Sequence, residues 1–313
     1  MSELELEPWS DPFDVPGEEE LVRDRWDRPM IKPDPATGGA WPDTGTNELR
    51  PYTRASTFAG YLDDGIALST WRSRHIALSV AKRPDLAAVI AGLEYHDKDL
   101  DERIKEALER AKDAEATLQA SNWGTAMHRF TEPDSPPDVP DRLKKDVPAF
   151  FRAVKDTRCQ IVATELFVVN DDYWAAGTFD HLVRLPEGTR HVFATGRVVD
   201  LGGRIVVADK KGGKMHKLSH AVQLATYAGG GYYDVPTGRR DPLHPDLDPT
   251  VGLLMHIPFG KGKADLWLVD LEAAHHFALA AMVVRSARSY ESRLFSAQPL
   301  NAKPTGKKQI SAR

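Results

Sequence analysis

An apolar segment at residues 205–208 ends in Asp209, and Lys211 follows two positions later. Because side chains alternate along a strand, Asp209 and Lys211 should lie on the same side of the strand end. A carboxylate there can hold a divalent cation, and the ammonium beside it can orient water and offset charge on a phosphate. The pair suits phosphodiester hydrolysis, although an aspartate followed by two lysines at a strand end is more often a solvated turn.

Two further carboxylates interrupt predicted strands upstream. Asp180 ends the sequence Gly-Thr-Phe-Asp at residues 177–180, where the glycine would allow a bulge or a close backbone approach. Aspartates at the ends of neighbouring strands form a natural site for a hard cation. Glu165 lies in an otherwise apolar strand, predicted to share a face with Ile161, Ala163 and Phe167, where an unpartnered carboxylate is costly. It could join a metal site or hold a water, and an exposed acid at a strand edge is the alternative for both residues.

Two predicted helices carry the other candidate residues. His128 follows Gly124 by four positions, and its ring could reach a metal ion. Gln223 and Tyr227 are also four positions apart, so they share a helix face from which an amide and a phenol can donate to phosphate oxygens. Alternatively, His128 is an ordinary surface or core histidine, and Gln223 caps the hydroxyl of a tyrosine packed in the core.

The apolar periodicity predicts helices first and strands later, in an α/β fold with a mixed central sheet flanked by helices. Helical spacing extends from about residue 63 to 120, where Pro84 should interrupt a helix, and a later helix should end after Phe130, before Pro133. The remaining predicted elements are a helix within 139–157, strands at 160–169, 176–185 and 204–209, a helix at 217–228, a hairpin of 251–258 and 264–271, and a helix at 272–294.

Composition divides the chain into three parts. Residues 1–50 are acidic and rich in proline and glycine, without sustained periodicity, and are predicted to be a flexible tail or a wrapping segment. Residues 51–297 form the predicted main domain, with a mainly helical lobe at 51–157 and the sheet and helices that carry the candidate Asp and Lys residues at 158–297. Residues 298–313 form a short basic tail.

Charge and cysteine content limit the classes of partner and cofactor. The net charge is −5, but residues 1–20 carry eight acidic residues and no lysine or arginine, which leaves 41 basic against 38 acidic residues elsewhere. That balance permits a basic groove for DNA. Cys159 is the single cysteine, which excludes disulfides, a cysteine-based zinc site and an iron–sulfur cluster, so a metal bound by oxygen and imidazole should be magnesium or manganese. No apolar segment suits a membrane span and the first residues are acidic, so the expected location is the cytoplasm.

The combination of motifs in this order resembles the RecB-like nucleases of the PD-(D/E)XK superfamily. That group includes the nuclease domains of bacterial recombination helicases, CRISPR-associated RecB-like exonucleases and many phage exonucleases. Its members share Gly-x-x-x-His on a helix, Gly-x-x-Asp and (Asp/Glu)-x-Lys at strand ends, and Gln-x-x-x-Tyr on a later helix. Those four motifs lie here over residues 124–227, and the resemblance with its flanking elements covers about 55–295.

The resemblance implies a restriction-endonuclease-like core without the iron–sulfur cluster of many relatives, and a magnesium- or manganese-dependent DNA exonuclease. Such an enzyme would act in phage-type recombination, replication or repair, in the host cytoplasm if phage-encoded, and a single-strand annealing protein is the partner it would suggest. The implied metal ligands are His128, Asp180, Asp209 and the Lys210 carbonyl, with Lys211 as the catalytic lysine, Gln223 and Tyr227 on the DNA, and Glu165 at an acidic position that only some members have.

Two features depart from that pattern or limit it. Asp180 and Asp209 are 29 residues apart, more than the tight hairpin common in the family, and residues 186–203 are expected to form an added hairpin. No Gly-x-x-x-x-Gly-Lys-Ser/Thr phosphate loop is present in the sequence, so a helicase fusion is excluded. An endonuclease of the same fold and a non-catalytic DNA-binding or annealing partner remain the alternative functions.

Overall fold

The computed structural model describes residues 21–63, 83–92, 126–132 and 138–290, with a few single positions and pairs between 70 and 124. Three predicted parts lie outside the described residues: the acidic leader (residues 1–20), the basic C-terminal tail (residues 298–313) and most of the helices predicted between residues 63 and 120. Among those that are described, no helix combines the length and apolar composition needed to cross a membrane.

The helices are α1 (Ala55–Ala59), α2 (Pro84–Ala91), α3 (Asp146–Thr157), α4 (Lys217–Ala228) and α5 (Leu271–Tyr290). Residues 126–130 are also helical. The strands are β1 (Met30–Ile31), β2 (Arg50–Pro51), β3 (Thr53–Arg54), β4 (Gln160–Asn170), β5 (Ala175–Arg184), β6 (Arg190–Val192), β7 (Val198–Asp200), β8 (Ile205–Lys211), β9 (Gly231–Tyr233), β10 (Arg240–Asp241), β11 (Leu247–His256) and β12 (Asp265–Asp270).

These elements confirm the α/β fold with a mixed sheet. Eight strands pair in the order β10-β9-β4-β5-β8-β11-β12, with β3 added beside β5. The pairs β8–β11 and β3–β5 are parallel and the other neighbours are antiparallel. The predicted helix α4 and the hairpin of β11 and β12 are also confirmed. Pro84 lies at the start of α2, and the helical segment 126–130 gives way to a turn at Thr131, as the proline positions predicted.

Helices cover both faces of the sheet, and β8 shows the two layers most clearly. Ile205 and Val207 belong to the core cluster that includes α4 and the start of α5. Val206 and Ala208 belong to the opposite cluster, which includes Phe150 of α3. A strand buried on both faces needs a continuous apolar segment, which explains the sequence at 205–208.

The insertion before β8 forms the added hairpin, with β6 and β7 pairing antiparallel. Arg197 in its turn holds the hairpin against the sheet, since its Nη1 lies 2.7 Å from an Asp270 carboxylate oxygen and its Nη2 donates to the Thr250 hydroxyl at 2.7 Å. Residues 186–203 therefore form a hairpin outside the main sheet, which is tied to the beginning of α5 and places Phe193 and Leu201 in the same core cluster as Phe150.

The N-terminal segment packs against the sheet from residue 21 onward. Ile31 and Trp41 are buried in a cluster with Tyr52, Val169 and Tyr233. The backbone amide of Tyr52 donates to the Pro29 carbonyl at 2.9 Å. Of the two predictions for residues 1–50, a tail or a wrapping segment, residues 21–50 fit the wrapping segment.

The turn from α4 into β9 requires a glycine, which gives a first prediction. A Cβ on Gly230 would lie 2.4 Å from the Val168 Cγ1 and 2.8 Å from the Val169 carbonyl oxygen. We expect Gly230→Ala to lower the free energy of unfolding by about 1–3 kcal/mol, because backbone of β4 cannot move aside without breaking its pairing. Urea unfolding would measure it, with Gly213→Ala as the control, since a Cβ there meets nothing within 4 Å. Equal stability of the two variants would contradict the prediction.

Candidate active site

The candidate site lies in a gap along one edge of β5. The opposite edge of β5 is paired with β4 from Ala175 to Phe179 and from His181 to Arg184. On the site edge, β3 pairs with Ala175 and Ala176, whereas β8 pairs only from His181 onward. Residues 177–180 therefore have no strand partner on this edge, and Asp180 lies at the point where β5 and β8 separate. The gap opens into a cavity of about 530 Å³.

Asp180 is held by contacts from both sides of this gap. Its Oδ2 accepts from the Lys210 backbone amide at 2.5 Å, and its Oδ1 lies 2.6 Å from the His128 Nδ1. Burial alone would raise the pKa of Asp180, but the hydrogen bond and charge of His128, with Lys210, outweigh it and lower this pKa to about 2. Asp180 is therefore an ionised carboxylate inside the fold.

Asp209 and Lys211 form a close ion pair at the end of β8. The Lys211 Nζ lies 2.5 Å from the Asp209 Oδ2, and the two residues share one wall of the cavity, as their spacing predicted. Burial raises the pKa of Asp209 to about 6, and the charge of Asp180 adds to this, although Lys211 opposes it. Because the charge of Asp180 contributes to the raised pKa of Asp209, the two carboxylates repel each other when both are ionised. A cation bound between them would relieve that repulsion.

Lys210 points away from this ion pair and has a structural role. Its side chain is buried, and its Nζ donates to the Thr131 hydroxyl at 2.8 Å. Burial lowers the pKa of Lys210, although the charge of Asp180 and other carboxylates opposes it. The lysine holds the helical segment that carries His128 against the sheet. Ligation of a metal by the Lys210 carbonyl stays a prediction.

Glu165 lies near His128 and Asp180, but the strand face predicted for it from the sequence differs from the one in the structure. The pairing of β4 with β5 shifts register between Ile161 and Ala163, so these two residues pack against different core clusters. The prediction that Glu165 shares one face with Ile161, Ala163 and Phe167 is therefore wrong. Glu165 instead adopts a left-handed backbone conformation, with φ of 53°, and is exposed. Its carboxylate oxygen, a His128 ring nitrogen and an Asp180 oxygen lie within 4.8 Å of one another.

Glu132 is an acid of this site that the sequence interpretation missed. The charges of Glu165, Lys210 and His128 all act on it, and burial raises its pKa, followed by the charge of Glu165. Glu132 lies just after the turn at Thr131 that ends the helical segment carrying His128. It is therefore outside the helical periodicity, and no spacing in the sequence indicated its position near the site.

Gln223 and Tyr227 line the cavity and bind each other. The Gln223 Nε2 donates to the Tyr227 hydroxyl at 2.9 Å, and the Tyr227 ring is packed in the core beside Phe179. The capping bond of the alternative interpretation is thus present. Burial, with the charges of Asp209 and Asp180, raises the Tyr227 pKa far above its ordinary value, so the phenol keeps a proton that it can donate into the cavity. Gly177 lies beside this pair, and a Cβ there would meet the Tyr227 hydroxyl at 3.4 Å, which is an ordinary contact.

The N-terminal segment supplies the remaining wall of the cavity, which the sequence did not predict. Arg23, Asp27 and Arg54 line it beside Ser56. The Arg54 Nη1 lies 2.6 Å from the Asp27 Oδ2, and the Arg23 Nη1 lies 3.4 Å from its Oδ1. Arg23 and Arg54 are half exposed, so a phosphate entering the cavity could replace Asp27 as their partner.

Comparison of the sequence with protein-family models finds no match, and comparison with curated proteins finds none either. The residues of the site bring together His128, two buried aspartates and Lys211 in one cavity, which Arg23 and Arg54 also line. Glu165 does not line this cavity, but its carboxylate lies close to the His128 and Asp180 ligand atoms.

Proposed function

We propose that this protein is a metal-dependent deoxyribonuclease that hydrolyses phosphodiester bonds, built on a RecB-like form of the restriction-endonuclease core. The observation that carries the proposal is the shared cavity of Asp180, Asp209 and Lys211, with 2.5 Å between the Lys211 Nζ and the Asp209 Oδ2. Two buried carboxylates with an ammonium alongside are the groups that metal-assisted phosphodiester hydrolysis requires.

The donor atoms fit magnesium or manganese. His128, Glu165 and Asp180 offer one nitrogen and two carboxylate oxygens within 4.8 Å of one another, and the charge of Asp180 acts on the Asp209 carboxylate. Oxygen-rich sites with one imidazole suit these hard cations better than zinc, which favours sulfur and nitrogen. We assign His128, Asp180 and Asp209 as ligands together with the Lys210 carbonyl, and Glu165 as a carboxylate on the open side.

The metal ion, when bound, would polarise the phosphate and make an attacking water more acidic. Lys211 would orient that water and offset the negative charge that builds up on the phosphate oxygens during attack. Tyr227 and Gln223 would donate hydrogen bonds to the non-reacting oxygens of the strand. Arg23 and Arg54 would hold the adjacent phosphate, because their exposed guanidinium groups are at the mouth of the cavity.

We favour an exonuclease acting in phage-type recombination, replication or repair, and a nuclease assay tests the proposal. The purified full-length chain would be incubated with linear and covalently closed circular DNA in magnesium or manganese. We expect loss of the linear DNA from its ends and intact circles, and no hydrolysis with a chelator present. Cleavage of closed circles would instead show the endonuclease alternative. A folded protein that leaves both substrates intact would refute the proposal.

Metal binding can be measured separately from hydrolysis. Manganese at about 100 times its dissociation constant should stabilise the protein by about 2.7 kcal/mol, since a ligand that binds only the folded state shifts unfolding by mass action. We expect His128→Ala to lose most of this increase, because the imidazole nitrogen belongs to the donor group around Asp180. His276→Ala is the control, because His276 is exposed on α5 and its ring Nδ1 lies 3.0 Å from the Glu272 carbonyl oxygen. An unchanged response in His128→Ala would contradict the ligand assignment.

A further inference from the structure

A second cavity, of about 300 Å³, lies between the N-terminal segment and the turn that joins β4 to β5. Three aromatic rings line it: Trp41, Tyr52 and Trp174. The Tyr52 ring stacks on Trp174 with their centroids 6.1 Å apart and an interplanar angle of 10°, and Trp41 lies 6.1 Å from Tyr52 on a tilted plane. The cavity is therefore walled by flat π surfaces.

A guanidinium group is already part of this aromatic layer. The Arg50 Cζ lies 4.6 Å from the Trp41 ring centroid and 5.5 Å from that of Trp174, and its Nη1 lies 2.7 Å from an Asp43 oxygen. The Tyr52 hydroxyl donates to Asp171 at 2.6 Å. The cavity thus combines stacking surfaces with carboxylates that can accept hydrogen bonds at its edge.

Trp174 has a strained backbone and an exposed ring, and both are unfavourable for a tryptophan. It adopts a left-handed backbone conformation, with φ of 48°, in the four-residue turn at 171–174. A bulky side chain is strained there, whereas glycine or asparagine would be comfortable. Its indole is also 44% exposed. Trp174 is thus a strained and exposed tryptophan that lines an aromatic cavity, where its ring can contact a ligand.

We propose that this cavity is a nucleobase subsite, in which an unpaired base of the DNA strand stacks with Trp174 and Arg50. A base is planar and neutral, so it can extend the aromatic layer, and its ring N–H or exocyclic amino groups can donate to the carboxylates at the edge. A cationic ligand fits less well, because two guanidinium groups, those of Arg50 and Arg240, already line the cavity.

The subsite rests on the proposed nuclease function and specifies its substrate as DNA with a single-stranded segment. One short segment of chain connects the two cavities. Its residues Arg50 and Tyr52 line the aromatic cavity, and Arg54 lines the active-site cavity. Trp174 precedes Asp180 by six residues, which along a strand is about 20 Å. A strand could therefore place one base in the subsite and a phosphate several nucleotides away at the metal ligands.

The test compares two strands of equal charge. A thymidine oligonucleotide of about 12 nucleotides and an entirely abasic strand of the same length would be titrated with the full-length protein, with metal chelated, by fluorescence anisotropy. We expect the wild-type protein to bind the thymidine strand at least about fivefold more tightly, as base–aromatic stacking predicts. Trp174→Gly should lose this preference, although glycine relieves the backbone strain and so favours folding.

Two further variants control for the tryptophan. Trp174→Phe keeps a ring and should keep part of the preference, even if the glycine variant fails to fold. Trp267→Ala removes an equally exposed indole, 49% exposed on β12, and should behave like the wild type. The inference is overturned if the wild type binds both strands equally or neither measurably, or if the variant without a ring at 174 keeps the preference.

The assay also separates the two proposals, because it needs neither metal nor cleavage. A preference for bases that depends on Trp174, in a protein that cuts no DNA, would support the subsite and refute the nuclease. Hydrolysis by a protein that binds thymidine and abasic strands alike would support the nuclease and refute the subsite.

Discussion

Replacing Asp209 with asparagine should reduce DNA hydrolysis by at least about 1000-fold and leave the protein folded, because the amide cannot balance the charge of a bound cation or of Lys211. The side chains have the same shape, so the buried position stays filled. Initial rates on end-labelled linear DNA in manganese would measure the loss. Ser56→Ala, a small change at the same cavity, is the matched control and should cost less than about tenfold.

In the absence of metal, Asp209→Asn should increase the stability of the protein, although it lowers activity. The Asp209 pKa of about 6 in the folded protein exceeds its ordinary value of 3.8. The folded state therefore binds the proton more tightly, so the stabilisation it provides is complete below about pH 4 and is lost as the pH rises through about 6. With chelator at about pH 8, Asp209→Asn should unfold at a higher temperature than the wild type, because it carries no buried charge.

Together these results would distinguish a catalytic role from a structural one. A stable variant without activity is the expected outcome. If Asp209→Asn unfolded at a lower temperature in chelator, the ion pair with Lys211 would be structural. If it cut DNA at the wild-type rate, the assignment of Asp209 to the metal site would be wrong.

Replacing Lys211 with methionine should lower the rate of hydrolysis by about 100- to 1000-fold, the effect of removing one group that stabilises charge in a transition state. Lys211 is only partly exposed and lies against Asp209. Methionine keeps most of its length and apolar contacts without the charge. Single-turnover rates at saturating manganese would isolate the chemical step, and the manganese-induced rise in unfolding temperature should be retained.

The control for Lys211→Met is Lys263→Met, since Lys263 is exposed in the loop before β12 and pairs with Asp265. It should change the rate by less than about threefold, because exposed ion pairs contribute little. If Lys211→Met hydrolysed DNA as fast as Lys263→Met, Lys211 would have no role in the mechanism. A loss of the manganese response in Lys211→Met would instead show that the lysine organises the carboxylates.

The sequence predicted those parts of the site that depend on local spacing. Asp209 and Lys211 share one wall because alternation along a strand is a short-range property. Gln223 and Tyr227 are neighbours for the same reason, because α4 is a regular helix. The bounds of that helix followed from apolar residues that face the sheet on one side.

Features set by long-range pairing or by irregular backbone were not predictable. The left-handed backbone of Glu165 takes it out of simple alternation, and the residue types of its neighbours do not predict this irregularity. Arg54 lines the active-site cavity because β3 pairs with β5 across more than 100 residues of chain. A segment rich in proline and glycine carries no periodicity from which such a contact could be inferred.

The pairing of β3 with β5 has a practical consequence for shortened versions of this protein. The backbone groups of Ala175 and Ala176 on this side of the sheet are covered only because Thr53 and Arg54 lie beside them. A shortened chain that began after residue 54 would lack β3, so this end of β5 would be an unpaired strand edge. Unpaired edges favour association between molecules. Expression trials that trim the acidic leader should therefore retain the chain from residue 21, where the described structure begins.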